Sequence, residues 1–366
     1  MTLRETVGQL FMIGFADTSL TRALTDLITF CRPGGVIVFR RNLESAHQIL
    51  RLTNDLQAFA GSSPLFIAID QEGGRVSRLP SDFTVFPACG PIAACHSVDE
   101  VRRIASITAK ELRAVGINMN MAPVLDVHSN PQNPIIGNRA YGADPETVSR
   151  YALATIDGLH EHRVIACGKH FPGHGDTDTD SHLALPVITA TRERLMTVEV
   201  PPFRAAIRHG LETIMTAHIL FPALDPDVPA TLSPTILQGL LRQELGFHGL
   251  ILSDDLEMRA IIDHYGIGEA AVLALEAGAD ILLVCKEADR VHTAIEAVEA
   301  AVKSGRLPLS RLEASLRRIT AVKERFLLPY TAADPDLATQ TVGHAEHRRL
   351  CEDVSRRLAT PQGTSV

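Results

Sequence analysis

The sequence lacks several features that would place it in other protein classes. Its six cysteines are scattered without Cys-x-x-Cys spacing, and most lie in apolar stretches, as is typical of buried, reduced thiols. No basic cluster interrupts the formal net charge of −8, which argues against nucleic acid as a partner. No apolar run has the form of a signal peptide or a membrane span, so we expect a cytoplasmic protein with no membrane partner.

Two further absences bear on the fold. No Gly-x-Gly-x-x-Gly follows the first predicted strand, which disfavours a doubly wound open sheet, the main alternative to a closed barrel. No linker-like stretch separates a second domain. The chain has 366 residues, of which 45% are hydrophobic, and α/β barrels of that length routinely fold as one unit around a large core.

Short apolar segments alternate with helical patterns along the chain. The segments are rich in β-branched residues and almost entirely apolar, as expected for parallel strands that are covered on both faces. Eight strands are predicted, at residues 10–15, 35–39, 65–70, 118–127, 164–170, 213–220, 249–254 and 280–285. Helices are predicted at residues 20–31, 45–60, 98–115, 145–161, 192–209, 234–245, 268–277, 288–304 and 310–326.

Eight strand–helix units predict an α/β protein with a single-domain (β/α)8 TIM barrel over residues 1–328. Residues 329–366 are more polar and contain proline. We expect them to form a short C-terminal extension that is partly helical, with a helix near residues 345–358.

Ionisable residues are predicted at the C-terminal ends of five consecutive strands, which is where α/β barrels carry their catalytic groups. The loop after the fifth strand is the richest, because residues 169–186 hold one lysine, three histidines and three aspartates. One such residue is commonly a helix cap, whereas five in succession indicate a site. The residues at these strand ends are Asp70, Asp126, Lys169 and His170, His218, and Asp254.

One mechanism that fits these residues is glycoside hydrolysis with retention, which needs a carboxylate nucleophile and a nearby proton donor. Asp254 suits the nucleophile because it directly follows an apolar strand. His182 suits the donor because Asp180, two residues earlier, can hold its imidazole and stabilise the charged form. The histidine could then act as acid and afterwards as base near neutral pH.

A second mechanism is metal-assisted hydrolysis, because the same loop has the residue types of a Zn²⁺ or two-metal site. The spacing matches no short-range ligand motif such as His-Glu-x-x-His, and Lys169 beside the ligands would work against a cation. The residue types alone leave both mechanisms open. The six candidate ligands are His170, His174, Asp176, Asp178, Asp180 and His182.

The motifs in three of these loops resemble a known enzyme family. Residues 169–175, Lys-His-Phe-Pro-Gly-His-Gly, followed by Asp-Ser-His at 180–182, resemble a signature of family 3 glycoside hydrolases of the β-N-acetylglucosaminidase branch. Residues 70–76, Asp-Gln-Glu-Gly-Gly-Arg-Val, and residues 253–258, Ser-Asp-Asp-Leu-Glu-Met, resemble the other two signatures in the right order. The resemblance covers about residues 5–327.

The resemblance implies an activity and a set of site residues. Members of this branch remove terminal N-acetylglucosamine from β-linked substrates by double displacement, without a cofactor or a metal. By this resemblance Asp254 is the nucleophile, and Asp180 with His182 forms the acid–base dyad. The positions implied to hold the sugar hydroxyls are Asp70, Arg78, Arg139, Lys169 and His170.

The resemblance also suggests a biological context. Single-barrel members of the branch act in the cytoplasm and release N-acetylglucosamine from peptidoglycan (muropeptide) fragments during cell-wall recycling, so we expect such a sugar substrate and a monomeric enzyme. A histidine donor would also let phosphate replace water, which keeps a phosphorylase as an alternative beside a metal-dependent hydrolase and a catalytically inactive sugar sensor. The tail after Leu328 departs from the compact recycling enzymes.

Overall fold

The computed structural model describes residues 1–61, 63–178 and 185–359, and its centre is a closed barrel of eight parallel strands. Each strand pairs with the next one in the chain, and the last strand pairs with the first, with Phe11 opposite Leu282. The predicted (β/α)8 barrel is therefore confirmed. The strands are β1 (Phe11–Ile13), β2 (Gly35–Val38), β3 (Phe66–Ile69), β4 (Met119–Asn120), β5 (Ile165–Phe171), β6 (Thr213–Thr216), β7 (Leu250–Asp255) and β8 (Ile281–Val284).

Helices surround the barrel and bury their apolar faces against it. The helices up to residue 327 are α1 (Leu3–Gly8), α2 (Arg22–Cys31), α3 (Ala46–Ala60), α4 (Cys89–Cys95), α5 (Val98–Ala114), α6 (Pro145–His160), α7 (Arg192–Thr197), α8 (Pro201–Arg208), α9 (Arg259–Tyr265), α10 (Ile267–Ala277), α11 (Ala288–Lys303) and α12 (Leu309–Leu327). A π helix, Thr235–Glu244, lies between β6 and β7. Two more helices, α13 (Pro335–Thr341) and α14 (Ala345–Ala359), follow in the tail.

Local sequence explains where several helices begin. The side chains of Thr21, Ser45 and Asp144 each accept a hydrogen bond from a backbone N–H in the first turn of the following helix. These N-caps satisfy donors that have no partner within the helix. The strands are buried along their whole lengths, apart from the last two residues of β7, which explains why most of them are continuous apolar runs.

The observed bounds differ from the predicted ones in several places. Regular pairing of β4 ends at Asn120 instead of residue 127, because Pro123 has no N–H to donate to a ladder. The chain nevertheless stays beside β5, since the Leu125 N–H donates to the Lys169 carbonyl at 2.6 Å. Likewise, β6 ends at Thr216 instead of residue 220.

Proline also divides the helix predicted at residues 192–209. It consists of α7 and α8, because Pro201 and Pro202 fit only the first turn of a helix, where no intrahelical donor is needed. The helix predicted near residues 345–358 is observed as α14. Four short helices were not predicted, namely α1, α4, α9 and α13.

The two tail helices lie against the outside of the barrel helices. Helix α13 contacts α3 and α5, and α14 contacts α4, so both lie on the side of the barrel that carries β3 and β4. Every helix within the described residues is too short or too polar to span a lipid bilayer.

Candidate active site

A cavity of about 230 Å³ opens at the C-terminal ends of the strands. Its lining combines acids, cations and two histidines with an apolar wall. The charged and histidine side chains are Asp70, Glu72, Arg78, Arg139, Lys169, His170, His174, Asp254 and Asp255. The apolar wall is formed by Ile37, Phe39, Val76, Ile135, Met215, Met258, Leu283 and Cys285. All five sequence-predicted binding residues and the predicted nucleophile are therefore brought to one place.

An ion-pair network joins the loop after β3 to β5 and to the long loop after β4. The Lys169 amine lies 2.7 Å from a carboxyl oxygen of Asp70 and 2.7 Å from one of Glu72. The Arg139 guanidinium forms a two-point contact with Glu72, with both distances at 2.8 Å. Glu72 is thus shared by two cations and fixes their separation.

The electrostatics of this network keep its members charged. Burial alone would raise the pKa of Glu72, but the charges of Lys169 and Arg139 lower it well below its ordinary value. Burial would lower the pKa of Lys169, but Asp70 and Glu72 raise it above its ordinary value. Lys169 and Arg139 therefore present fixed cationic donors to a ligand, while Asp70 presents acceptor oxygens.

A second network fixes the two histidines of β5 and the loop that follows it. Asp126 accepts hydrogen bonds from the Nδ1 of His170 at 2.7 Å and from the His174 backbone N–H at 2.7 Å. Burial alone would raise the pKa of Asp126, but its electrostatic interaction and hydrogen bond with His170 lower it. Because Nδ1 donates to this carboxylate, the Nε2 edge of His170 is left to the cavity.

His174 is held differently. Its Nδ1 lies 2.9 Å from the Thr177 hydroxyl, and the Asn133 side chain donates to its carbonyl at 2.8 Å. Burial, followed by the positive field of His170, lowers the pKa of His174 to about 4. His174 is therefore neutral at physiological pH and braces the start of the loop.

Asp254 lies in the cavity near the end of β7. Its Oδ1 accepts the Asp255 backbone N–H at 2.8 Å. Burial alone would raise the pKa of Asp254, but the fields of His218 and then His170, together with this hydrogen bond, lower it below the ordinary value. His218 is buried two residues after the end of β6, and its Nε2 donates to the Asp255 carbonyl at 3.0 Å. Asp254 is thus an ionised, fixed carboxylate, as a nucleophile requires.

The side chains of Asp255 and Glu257 stabilise the loop after β7. Asp255 accepts the Glu257 backbone N–H at 3.1 Å, and the Glu257 carboxylate lies 3.2 Å from Arg290. Burial, followed by the charges of Glu257 and Asp254, raises the pKa of Asp255 to about 7. Neighbouring carboxyls thus have opposite pKa shifts, which leaves the charge on Asp254.

Arg78 completes the cavity wall that comes from the loop after β3, residues 70–78, which we call the β3 loop. Its backbone N–H donates to the Gln71 side chain at 2.9 Å. Its buried Nε has no hydrogen-bond partner within the described residues. A donor in this position is suited to a polar group of a ligand.

The predicted acid–base dyad, Asp180 and His182, lies outside the described residues. The described part of the same loop is anchored by its neighbours: Asn133 holds Thr177 at 3.1 Å, and a Cβ on Gly175 would lie 1.5 Å from the Val127 carbonyl oxygen. The position next to Val127 therefore admits only glycine.

Two of the candidate metal ligands, His170 and His174, have other partners. His170 binds Asp126, and His174 binds Thr177. Within residues 1–61, 63–178 and 185–359, no group of three or more His, Cys, Asp or Glu side chains is arranged to hold a metal ion.

Three supporting residues had no role predicted from the sequence. Glu72 lies inside a recognised motif and Asp126 ends a predicted strand, so a sequence signal existed for both. Glu199, just after α7, carries none. Its carboxyl accepts hydrogen bonds from Ser129 at 3.2 Å and Arg194 at 3.0 Å, and a Cβ on Gly173 would lie 2.7 Å from the Glu199 Cβ. Burial raises the pKa of Glu199 to about 7.

The barrel and its cavity are those of a TIM-barrel enzyme, whose active site lies at the C-terminal ends of the strands. The sequence model described as "Glycosyl hydrolase family 3 N terminal domain" matches residues 2–322. The chain therefore belongs to glycosyl hydrolase family 3.

Individual relatives agree with this assignment. β-Hexosaminidase A of Pseudoalteromonas piscicida is 35% identical over 96% of this chain, and the match spans 65% of that longer protein. The family 3 β-N-acetylglucosaminidase structure from Paenibacillus sp. str. FPU-7 has a TM-score of 0.94 and 45% identity, covering 98% of this chain and 69% of that one. NagZ from Neisseria gonorrhoeae in complex with N-trifluoroacetyl-D-glucosamine has a TM-score of 0.78 and 31% identity, covering 96% and 98%.

These comparisons confirm the predicted family, and they confirm a glycoside hydrolase of the β-hexosaminidase class. The individual roles of the site residues, the dyad included, stay predictions. So do the monomeric state and the cellular location.

Proposed function

We propose that this protein is a retaining exo-β-N-acetylglucosaminidase that acts by double displacement. The observation that carries the proposal is the Asp254 carboxylate, which is ionised and fixed in the cavity beside an array of charged groups suited to sugar hydroxyls. The relatives named β-hexosaminidase and β-N-acetylglucosaminidase support the same substrate class.

In the first step, Asp254 attacks the anomeric carbon of the terminal sugar while His182 gives its proton to the departing glycosidic oxygen. The products are a glycosyl ester on Asp254 and the released aglycone. Asp180 orients the His182 imidazole and stabilises its charged form. Support for the two dyad residues comes from the sequence motif.

In the second step, neutral His182 takes a proton from water, whose oxygen attacks the anomeric carbon and releases Asp254. Two inversions at one carbon give net retention. A low pKa on Asp254 favours this step as well, because a stable carboxylate is a good leaving group.

The remaining cavity residues hold the sugar. Lys169 and Arg139, both paired with Glu72, donate to hydroxyl oxygens, and Asp70, paired with Lys169, accepts from hydroxyl groups. His170 adds its Nε2 edge, and Arg78 adds its Nε donor. Such prepositioned groups lower the barrier because they need no reorganisation as the transition state forms.

The natural substrates in this proposal are peptidoglycan fragments that end in β-linked N-acetylglucosamine, and the enzyme acts in the cytoplasm during cell-wall recycling. The resemblance to the recycling branch supports this part. NagZ, which is similar along 96% of this chain, binds an N-acylated glucosamine in its structure.

The test compares initial rates on p-nitrophenyl β-N-acetylglucosaminide and p-nitrophenyl β-glucoside, for the wild type and for Asp254→Asn. We expect turnover of the first substrate alone, a loss of at least about 1,000-fold in the variant, and no effect of a chelator. Chelator-sensitive activity would favour the metal-dependent alternative. An N-acetylglucosamine 1-phosphate product in phosphate buffer would favour phosphorolysis, and no turnover of either sugar would favour the sensor.

A further inference from the structure

The C-terminal tail contacts the segment that underlies the β3 loop. We call residues 82–89 the support segment. Arg348 of α14 donates from its Nη2 to the Asp82 carbonyl at 2.8 Å, and the Cys351 thiol donates to the Val85 carbonyl at 3.2 Å. Two tail side chains are therefore bonded directly to the backbone of the support segment.

A buried carboxyl group ties the same two parts of the chain to the barrel. Glu111 of α5 accepts the backbone N–H of Thr84 at 2.8 Å and its hydroxyl at 2.7 Å. The same side chain accepts the Gly343 N–H at 3.1 Å and the Nδ1 of His347 at 2.7 Å. Two of these donors belong to the support segment and two to the tail. Because all four bind one carboxylate, loss of the tail donors weakens the hydrogen bonds that hold the support segment, and the reverse also applies.

The backbone of the tail approaches the support segment closely at Gly343. Gly343 has a φ of +62°, and a Cβ there would lie 2.3 Å from the Asp82 carbonyl oxygen. Arg348 also donates to the Gly343 carbonyl at 2.8 Å, which fixes the turn before α14. A close approach that only glycine allows is a feature of a specific docked contact.

The support segment in turn carries the β3 loop. The Gly74 N–H donates to the Phe86 carbonyl at 2.9 Å, and the Cys89 thiol lies 3.5 Å from the Glu72 carbonyl oxygen. Gly73 has a φ of +101°, and a Cβ there would lie 2.6 Å from the Pro87 carbonyl oxygen. The turn at Gly73 and Gly74 is therefore seated on the support segment without free space.

The β3 loop supplies a large share of the cavity wall, through Asp70, Glu72, Val76 and Arg78. A continuous set of contacts thus runs from the tail, through the support segment and the Gly73–Gly74 turn, to the groups that face the ligand.

We propose that the C-terminal tail positions the β3 loop for substrate binding, and that His347 and Arg348 are its positioning residues. This rests on the proposed function, because it assigns the sugar-binding role to the β3 loop. The described part of the tail contributes no group to the cavity, and the tail acts through the support segment. Its loss weakens sugar binding and leaves the Asp254 nucleophile of β7 in place.

The test uses the full chain and matched variants of neighbouring residues. Arg348→Ala removes the contacts to Asp82 and Gly343, whereas Arg349→Ala changes the next exposed arginine of α14. His347→Ala removes the bond to Glu111, whereas His347→Asn keeps a donor close to the Nδ1 position. Steady-state rates on p-nitrophenyl β-N-acetylglucosaminide are measured at least 20 degrees below each variant's unfolding midpoint, together with hydrogen exchange of peptides covering residues 71–88.

We expect Arg348→Ala and His347→Ala to raise KM roughly 3- to 30-fold, with kcat changed less than about 2-fold and faster exchange at residues 71–88. Arg349→Ala and His347→Asn should stay within about 2-fold of the wild type. A lower unfolding midpoint with unchanged KM and unchanged exchange would overturn the inference and leave the tail a purely structural role. Absence of wild-type turnover would instead count against the proposed function.

Discussion

Glu72 provides the sharpest test of how the cavity is built. Its carboxylate is bonded to Arg139 at two points and to Lys169 at one, all within 2.8 Å. Glu72→Gln keeps the volume of the side chain but removes its charge and replaces one acceptor oxygen with a donor. The two cations then lose the group that fixes their separation.

The size of the effect follows from what each cation retains. Removing one partner of a buried ion pair costs about 3–5 kcal/mol when the other charge is left alone. Here Lys169 keeps Asp70 at 2.7 Å, and Arg139 keeps the Ile135 carbonyl at 3.3 Å. We therefore expect binding of the transition state to weaken by about 1.5–3 kcal/mol, the range of one hydrogen bond to a charged group. That corresponds to a fall in kcat/KM of roughly 10- to 150-fold.

The assay is the initial rate on p-nitrophenyl β-N-acetylglucosaminide together with the free energy of unfolding in urea. Glu212→Gln is a matched control, because Glu212 is also buried and lies 2.8 Å from both His160 and Arg325, at the opposite end of the barrel. The control should lose stability and keep its kcat/KM. If Glu72→Gln loses stability and keeps its kcat/KM within about 3-fold, the ion-pair network does not position the substrate-binding groups.

Two other substitutions have defined outcomes. Asp126→Asn should lower kcat/KM roughly 10- to 100-fold. Oδ1 of Asp126 accepts the backbone N–H groups of His170 and His174, so the amide nitrogen of the variant faces Nδ1 of His170 and donates to it, which moves the ring proton to Nε2. ¹⁵N NMR of the imidazole would show the change of tautomer, and an unchanged spectrum would contradict it. The raised pKa of Glu199, about 7, means that the folded protein holds this proton more tightly than the unfolded chain does, so stability falls as pH rises from about 4.5 to above 7. In urea unfolding, the free energy of unfolding of Glu199→Gln should fall by up to about 3 kcal/mol less than that of the wild type between pH 5 and pH 8. A parallel pH dependence in both proteins would refute the raised pKa of Glu199.

Much of the fold follows from local sequence signals. The eight strands are recognisable because a strand buried on both faces must be a nearly continuous apolar run. Strand and helix ends were harder, since Pro123 interrupts a ladder and Pro201 begins a new helix where the periodicity continues. The short helix α13 was missed because seven residues carry too little periodicity to be distinguished from a loop.

The position of the site could be predicted from the sequence, but the pairing of its side chains could not. Strand-end residues such as Asp70, Lys169 and Asp254 are marked by the barrel topology and converge on one cavity as expected. Their partners are set by contacts between distant parts of the chain: Glu72 and Arg139 lie 67 residues apart, and Asp126 and His170 lie 44 apart. Such pairs leave no local pattern, because only the closed barrel brings them together.

The docking of the tail could not be predicted from the sequence for the same reason. Its polar composition and its helix were visible in the sequence, but its docking on the support segment was not. The contact depends on Glu111, which is 236 residues from His347, and on Gly343, whose role appears only when the Asp82 carbonyl is in place.

The central claim is that Asp254 becomes covalently bonded to the sugar, and trapping that intermediate tests it most directly. The protein is incubated with an activated 5-fluoro N-acetylglucosaminide, which slows the second step, and is then digested for peptide mass spectrometry. The account predicts one added sugar on the peptide that contains Asp254, and none in Asp254→Asn. A sugar attached to another residue, or no attached sugar together with an inverted first product in ¹H NMR, would contradict it.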